Sequence, residues 1–303
     1  MAHTPTFHDA QATAARIGFA AVVDALALAS REYLAGTIHC PARIGVPLAG
    51  SGISLSMPAS AADISIHKLV NVQPANAAQG LPTILGVVTV CDARTGQPLC
   101  FLDGPVLTGR RTAGVSLLGM RTFAPANVAK VLLVGTGTQA AFHLAGLAEL
   151  YPQCRVLVKG TSPEAERKFC DANRSVHASI EPCPSRIPDD VQVVIALTSS
   201  RKPVYDEPAS KDRLVIGVGA FTPEMAEIGP RTLEGSDIYV DDPVGARHEA
   251  GDLLQAKVDW ARVKPLASAL ETRDRARPVV LKTVGSAAWD LAAARVALSS
   301  NAR

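Results

Sequence analysis

Arg43, His67, Lys68, Arg110 and Arg111 sit near expected strand ends or helix starts, in segments otherwise rich in apolar residues. A guanidinium grips a carboxylate through two parallel N–H donors, and a lysine in a closed apolar site has its pKa lowered enough to exchange a proton with a ligand. The chemistry on offer is recognition of a small carboxylate with proton transfer beside it. On spacing alone, such cations more often serve in salt bridges or at the surface than as ligands.

A second group of residues suits a nucleotide. Gly135-Thr136-Gly137-Thr138-Gln139-Ala140 has GxGxxA form, follows the apolar run KVLLV and opens a helical pattern. Gly135 permits the tight turn, Gly137 lets the backbone approach a pyrophosphate, and Ala140 allows close helix–strand packing, with helix N–H groups facing the anion. Glycine pairs punctuate many ordinary strand–helix loops, so the flanking strand, helix and second strand carry the weight here. After that second strand an NAD site usually carries an acid for the ribose hydroxyls, whereas this chain reads Val158-Lys159-Gly160-Thr161-Ser162. Lys159 with the Thr161 and Ser162 hydroxyls, helped by Arg167, can hold the 2′-phosphate of NADP. The expected carrier is NADPH, with NADH as the alternative.

The elements that must position these groups fall into two textures. Apolar residues from Asp9 to Leu34 recur at helical spacing, with Gly36 where a C-terminal cap would stand. Between Ile38 and Phe101 the runs ISLSM, ISIHKLV, ILGVVTV and PLCFL, broken by turn residues, predict a mostly antiparallel sheet. Thr108 is placed to cap a helix running to about Met120, and RTFAPANVA reads as a linker. Strands and helices then alternate through KVLLVGTG, QAAFHLAGLAEL, RVLVKG, SPEAERKFCDAN, VQVVIALTSS and RLVIGVGA, the βαβ order of a parallel sheet. VVLKTVG and SAAWDLAAARVAL add one more strand and helix. The expected fold is α/β, with a Rossmann dinucleotide-binding domain over about 121–285 and a sheet-based substrate domain over 1 to about 120, joined by 286–303.

Composition narrows the function. Thirty basic against 28 acidic residues leave a net charge of +2, which argues against nucleic acid or an anionic membrane as partner and for a small molecule. No apolar stretch reaches the roughly 20 residues of a membrane span, and MAHTPTFHDA lacks the order of a signal peptide, so a cytoplasmic location is expected. Cys40, Cys91, Cys100, Cys154, Cys170 and Cys183 show no CxxC or Cys–His ligand spacing, which points to reduced thiols rather than a metal site or a disulfide framework.

Taken in order, Met57-Pro58, Lys68 ahead of Gly80-Leu81-Pro82, Asp92-Ala-Arg-Thr-Gly96, Asp103-Gly104 with Leu107-Thr108, Arg111-Thr112-Ala113, Gly135 to Ala140, and Lys282-Thr-Val-Gly285 with Asp290 resemble the ornithine cyclodeaminase/μ-crystallin family across nearly the whole chain. The resemblance implies that Arg43, Lys68 and Arg111 surround a substrate carboxylate, with Lys68 also the proton-transfer group. It implies that Thr112, Thr198-Ser199 and Val284-Gly285 lie along the cofactor, and that the N-terminal sheet supplies a homodimer interface. His67 then reads as a packed strand histidine and Arg110 as a solvent or phosphate contact.

One departure bears on the reaction. Cyclodeaminases of this family carry an aspartate in a Gly-Ala-Asp segment, where this chain has Gly219-Ala220-Phe221-Thr222-Pro223. Displacing an amine requires a base, whereas reducing a formed C=N bond requires hydride and a proton. The chain is thus most similar to the family's ketimine reductases, which reduce Δ1-pyrroline-2-carboxylate and Δ1-piperideine-2-carboxylate to L-proline and L-pipecolate. An NAD-recycling cyclodeaminase, an amino-acid dehydrogenase acting on a keto acid and ammonia, and a non-catalytic ligand-binding protein remain the alternatives.

Overall fold

The computed structural model describes residues 4–272 and 276–300. The chain divides into two compact units, Met1–Arg111 with Ser286–Arg303, and Thr112–Gly285.

The first unit begins with strand β1 (Thr6–His8) and helices α1 (Ala10–Arg16) and α2 (Phe19–Leu34). Asp9 starts α1 by accepting from Ala12 N at 2.8 Å. One continuous helix was the expectation from the apolar spacing; instead Ile17 and Gly18 break it and the two axes differ by 71°. Gly18 takes extended backbone there, and the Ile17 carbonyl, left outside the helix, accepts from Arg110 Nη1 at 2.8 Å. Gly36, at φ +74°, ends the α2 segment as expected of a C-terminal glycine.

Strands β2 (Ile44–Pro47), β3 (Ile53–Ser60), β4 (Ile64–Val72), β5 (Ile84–Asp92) and β6 (Pro98–Asp103) form an antiparallel sheet ordered β6-β5-β4-β3-β2, and β1 joins the β6 edge in parallel. Side chains alternate between the faces. One face presents the buried row Met57, Lys68, Val88 and Leu102, paired across neighbouring strands. The other carries Ile44, Val46, Leu69 and Leu85, all exposed. The last helix, α9 (Ala287–Ser299), packs on α2, β3 and β4, and its Trp289 meets Tyr33 edge to face at 5.7 Å.

Helix α3 (Gly104–Phe123) starts a turn earlier than Thr108, because Asp103 caps it through Val106 N at 2.8 Å and Pro105 is tolerated in a first turn. The division between units falls inside this helix, after Arg111, rather than at its end near residue 120. Its second half belongs to the second unit: a Cβ at Gly119 would lie 2.3 Å from Leu281 Cδ2, so the glycine permits close contact with the sheet, and Ser116 Oγ meets His143 Nε2 at 2.9 Å.

The second unit is a wholly parallel sheet of β7 (Lys130–Val134), β8 (Arg155–Lys159), β9 (Ile180–Pro182), β10 (Val193–Ala196), β11 (Leu214–Gly217), β12 (Asp237–Val240), β13 (Val263–Pro265) and β14 (Val279–Lys282). The order is β13-β12-β14-β11-β10-β7-β8-β9. Helices α4 (Thr138–Leu150), α5 (Pro163–Asn173), α6 (Pro230–Glu234), α7 (Pro243–Glu249) and α8 (Gly251–Gln255) connect the strands. Strands β10, β11 and β14 are buried along their whole length, which is why they read as unbroken apolar runs. The chain runs from β7 to β8 and β9 on one side, then returns to place β10 on the other. That reversal opens a crevice at the carboxyl ends of β7 and β10, the usual ligand position in such sheets.

Candidate active site

In the first unit, strand alternation decides which of two adjacent residues enters the interior. His67 and Lys68 are neighbours on β4, so only one can point inward. Lys68 does, and is 1% exposed between Met57 and Val88. His67, expected to be packed, is exposed on the opposite face with Nε2 2.8 Å from Ser56 Oγ.

Asp290 of α9, fully buried, bridges the two interior cations: Oδ2 lies 2.6 Å from Lys68 Nζ, and Oδ1 accepts from Arg111 Nε at 2.9 Å. Burial is the main influence on Lys68 and pushes its pKa down to about 8; Asp290 opposes the shift, while Arg111 and Arg43 add to it. Arg43, half-buried just ahead of β2, therefore lies within electrostatic reach of Lys68. Two cations against one carboxylate leave the Lys68–Asp290–Arg111 cluster with a surplus positive charge, suited to an incoming carboxylate. One turn before Arg111, the Thr108 hydroxyl oxygen is buried without a hydrogen-bond partner among the described residues, a further polar group open to a ligand. Arg110 is half-buried. It donates to the Ile17 carbonyl and lies 4.6 Å above the Phe19 ring.

In the second unit a cavity of about 290 Å³ opens at the β7–β10 reversal, lined among others by Gly135, Thr136, Lys159, Gly160, Thr161 and Thr198. Gly135 has φ +127°, and a Cβ there would stand 2.8 Å from the Leu197 carbonyl oxygen. A Cβ on Gly137 would meet nothing within 4 Å, so open space lies over the start of α4. Gln139 Oε1 in that first turn is buried without a hydrogen-bond partner among the described residues. A crowded turn and a bare helix start fit a bound dinucleotide phosphate.

The other expected cofactor residues separate by position. Thr138 and Ala140 share the first turn of α4; Thr112 is buried on α3; Ser199 is exposed beside Thr198. Ser162 caps α5, its oxygen accepting from Ala165 N at 3.2 Å. Val284 N and Gly285 N donate to buried Asp241 at 2.9 and 3.0 Å, which fixes that turn. Glu166 of α5 reaches back to the 158–162 segment, where its Oε1 accepts from Gly160 N at 3.0 Å.

Phe221 is 41% exposed in the segment after β11, and its ring offers no base. Nearby Glu227 is buried, with both carboxylate oxygens occupied by backbone and hydroxyl donors of the Thr198 and Gly219 segments.

The model of the ornithine cyclodeaminase/mu-crystallin family matches residues 4–300. The chain belongs to this family. Among its relatives is the Δ1-pyrroline-2-carboxylate/Δ1-piperideine-2-carboxylate reductase of Azospirillum brasilense, 51% identical over 295 residues, covering 97% of this chain and 94% of the relative. Δ1-pyrroline-2-carboxylate reductase 2 of Burkholderia ambifaria is 50% identical, with 98% and 96% covered. A solved structure of the Thermococcus litoralis Δ1-pyrroline-2-carboxylate reductase with NADH and L-proline shares the fold at a TM-score of 0.87 and 22% identity, covering 98% of this chain and 97% of that one. Every segment on which the resemblance rested lies inside the family match.

Asp290 is the site residue that sequence reasoning passed over as a partner. It entered only as one matching residue, because a carboxylate on an almost wholly buried helix has no local pattern to reveal the cations it meets.

Proposed function

We propose that this protein is an NAD(P)H-dependent reductase that converts Δ1-pyrroline-2-carboxylate and Δ1-piperideine-2-carboxylate to L-proline and L-pipecolate. The observation that carries the reading is identity of about half the residues, over nearly the full length of both chains, with relatives named for this activity. The buried Lys68–Asp290–Arg111 cluster gives it a physical basis.

Arg111 and Arg43 hold the substrate carboxylate, and Lys68 holds a proton for the imine nitrogen. A nicotinamide dinucleotide, when bound, supplies the hydride for the imine carbon. The C=N bond thereby gains a hydride at carbon and, from Lys68, a proton at nitrogen, and becomes a C–N single bond. Lys68 suits this role because a pKa near 8 leaves the ammonium mostly protonated at neutral pH yet able to give up its proton. Gly135, Thr136 and the α4 start would carry the dinucleotide phosphates, with Thr198 and the Val284–Gly285 turn along the cofactor.

NADPH is proposed as the preferred carrier, from Lys159 and Thr161 in the cavity wall with Arg167 on α5. Glu166 favours the second reading, NADH, since its carboxylate can receive ribose hydroxyls and repel a 2′-phosphate. The exposed apolar face of the first sheet supports a homodimer, with a second copy covering Ile44, Val46, Leu69 and Leu85. Six free thiols accord with a reducing, cytoplasmic setting.

The test is to incubate the protein with chemically generated Δ1-pyrroline-2-carboxylate or Δ1-piperideine-2-carboxylate and NADPH, then NADH, while following reduced-cofactor absorbance and product chirality. Imine-dependent oxidation giving the L-amino acid is expected. Absence of turnover with both carriers, together with ammonia release from L-ornithine, would replace this reading with cyclodeamination.

A further inference from the structure

Glu227 is fully buried, outside any strand, and the strands near it are already paired without its help. Its carboxylate instead serves two separate loops. Oε1 accepts from Thr198 N at 2.5 Å and Thr198 Oγ1 at 2.9 Å. Oε2 accepts from Gly219 N at 2.6 Å and Ala220 N at 3.1 Å. These loops follow β10 and β11 at their carboxyl ends, and Thr198 lines the cavity. The fit between them is close: a Cβ on Gly219 would lie 2.0 Å from the Thr198 carbonyl oxygen and 2.8 Å from Glu227 Oε1.

The acid is itself held from behind. Asp252 Oδ1 accepts from Glu227 N at 2.5 Å and Ile228 N at 2.7 Å, and Asp252 Oδ2 pairs with Lys282 Nζ at 2.9 Å, both side chains fully buried. Burial raises the pKa of Glu227, while Lys282 and the Thr198 donors favour its charged form. Two oxygens taking four donors from two loops is an arrangement that only a carboxylate provides at this size.

We propose that Glu227 is a positioning residue for the dinucleotide: by tying Thr198 to the Gly219–Ala220 turn, it sets the wall of the cavity against which the cofactor binds. The proposal rests on the cavity being the dinucleotide site. Glu227→Gln is nearly isosteric, but its amide oxygen can serve one loop only, and its NH2 group then faces the N–H donors of the other.

The experiment titrates wild-type protein, Glu227→Gln and the core variant Leu233→Ala with NADPH and with NADH, reading nicotinamide fluorescence at a temperature where each is folded by circular dichroism. Leu233 is buried in the core of the second unit, so its truncation lowers stability without removing a bond to either loop. Glu227→Gln is expected to weaken dinucleotide binding about tenfold or more, with Leu233→Ala unchanged. Equal affinity in wild type and Glu227→Gln overturns the proposal while leaving the dinucleotide reading intact. Binding of neither carrier by wild type removes that reading, and the proposal with it. Should Glu227→Gln not fold, Glu227→Asp decides: its side chain is one carbon shorter and cannot reach both loops, so the proposal requires weaker dinucleotide binding, and affinity equal to wild type overturns it.

Discussion

The Lys68 ammonium lies 2.6 Å from Asp290 Oδ2 with both side chains buried, so proton affinity at Lys68 is set by burial, helped by Arg111 and Arg43, against one carboxylate. Burial wins and depresses the lysine pKa to about 8. If Lys68 is the proton donor, the protonated form is active, and kcat/KM should fall as pH rises through about 8. Bound substrate adds a carboxylate to the cluster and favours the ammonium, so the basic limb of kcat should lie at higher pH than that of kcat/KM. Initial rates across that range check both; a flat profile would remove Lys68 from the proton transfer.

Asp290→Asn should move the same limb to lower pH, because Asp290 is the influence that raises the Lys68 pKa. Asp290→Ala should also destabilise the fold by about 3–5 kcal/mol, since it strands two buried cations without their counter-charge. Denaturant melts and the pH profile separate the effects. An unshifted profile in the asparagine variant would disconnect Asp290 from the lysine.

Gly135→Ala should lower both stability and dinucleotide affinity. Its φ of +127° is strained for any L side chain and the new methyl would press on the Leu197 carbonyl at 2.8 Å. The strain is about 1–3 kcal/mol, read as a loss in thermal midpoint, and fluorescence titration reads the affinity. Unchanged binding would place the phosphates elsewhere.

Glu166→Gln should raise preference for NADPH over NADH about five- to tenfold, because it removes negative charge next to Gly160 yet keeps an acceptor for that N–H. Lys159→Ala should shift preference the other way. Ratios of kcat/KM for the two carriers measure both; no shift in either variant would mean that selectivity is set outside this loop.

If a second copy covers the exposed sheet face, the unsubstituted protein should sediment as a dimer and the double variant Leu69→Lys, Leu85→Lys as a monomer in sedimentation velocity. The two side chains sit on the exposed sheet face, 39% and 47% exposed in the single chain, so the substitutions cost little within one protomer but bring like charges together across a symmetric interface. A persistent dimer would locate the interface on another surface.

Sequence legibility followed the range of the interactions. The Gly135–Ala140 turn could be read directly, because strand, turn and helix start are consecutive and each glycine has a local reason. Strands β1, β2, β9, β12 and β13 escaped notice; each has only three or four residues, too short for a period to emerge. The rule that separates His67 from Lys68 was available, since neighbours on a strand face opposite ways, but it had to be applied to the pair together. Asp290, Glu227 and Glu166 act on groups distant in sequence or on backbone N–H donors, and a lone acid has no spacing that reveals such partners.

The second unit interrupts the first: Thr112–Gly285 is inserted between Arg111 and Ser286. During synthesis, Lys68 and Arg111 therefore leave the ribosome long before Asp290, and the helix that carries their counter-charge is made only after the whole second unit. The nucleotide-binding unit, continuous in sequence, can complete itself first. A chain cut short ahead of α9 would keep the residues that line the cavity of the second unit and lose the buried counter-charge of Lys68 and Arg111, so premature termination leaves that pair of cations unneutralised.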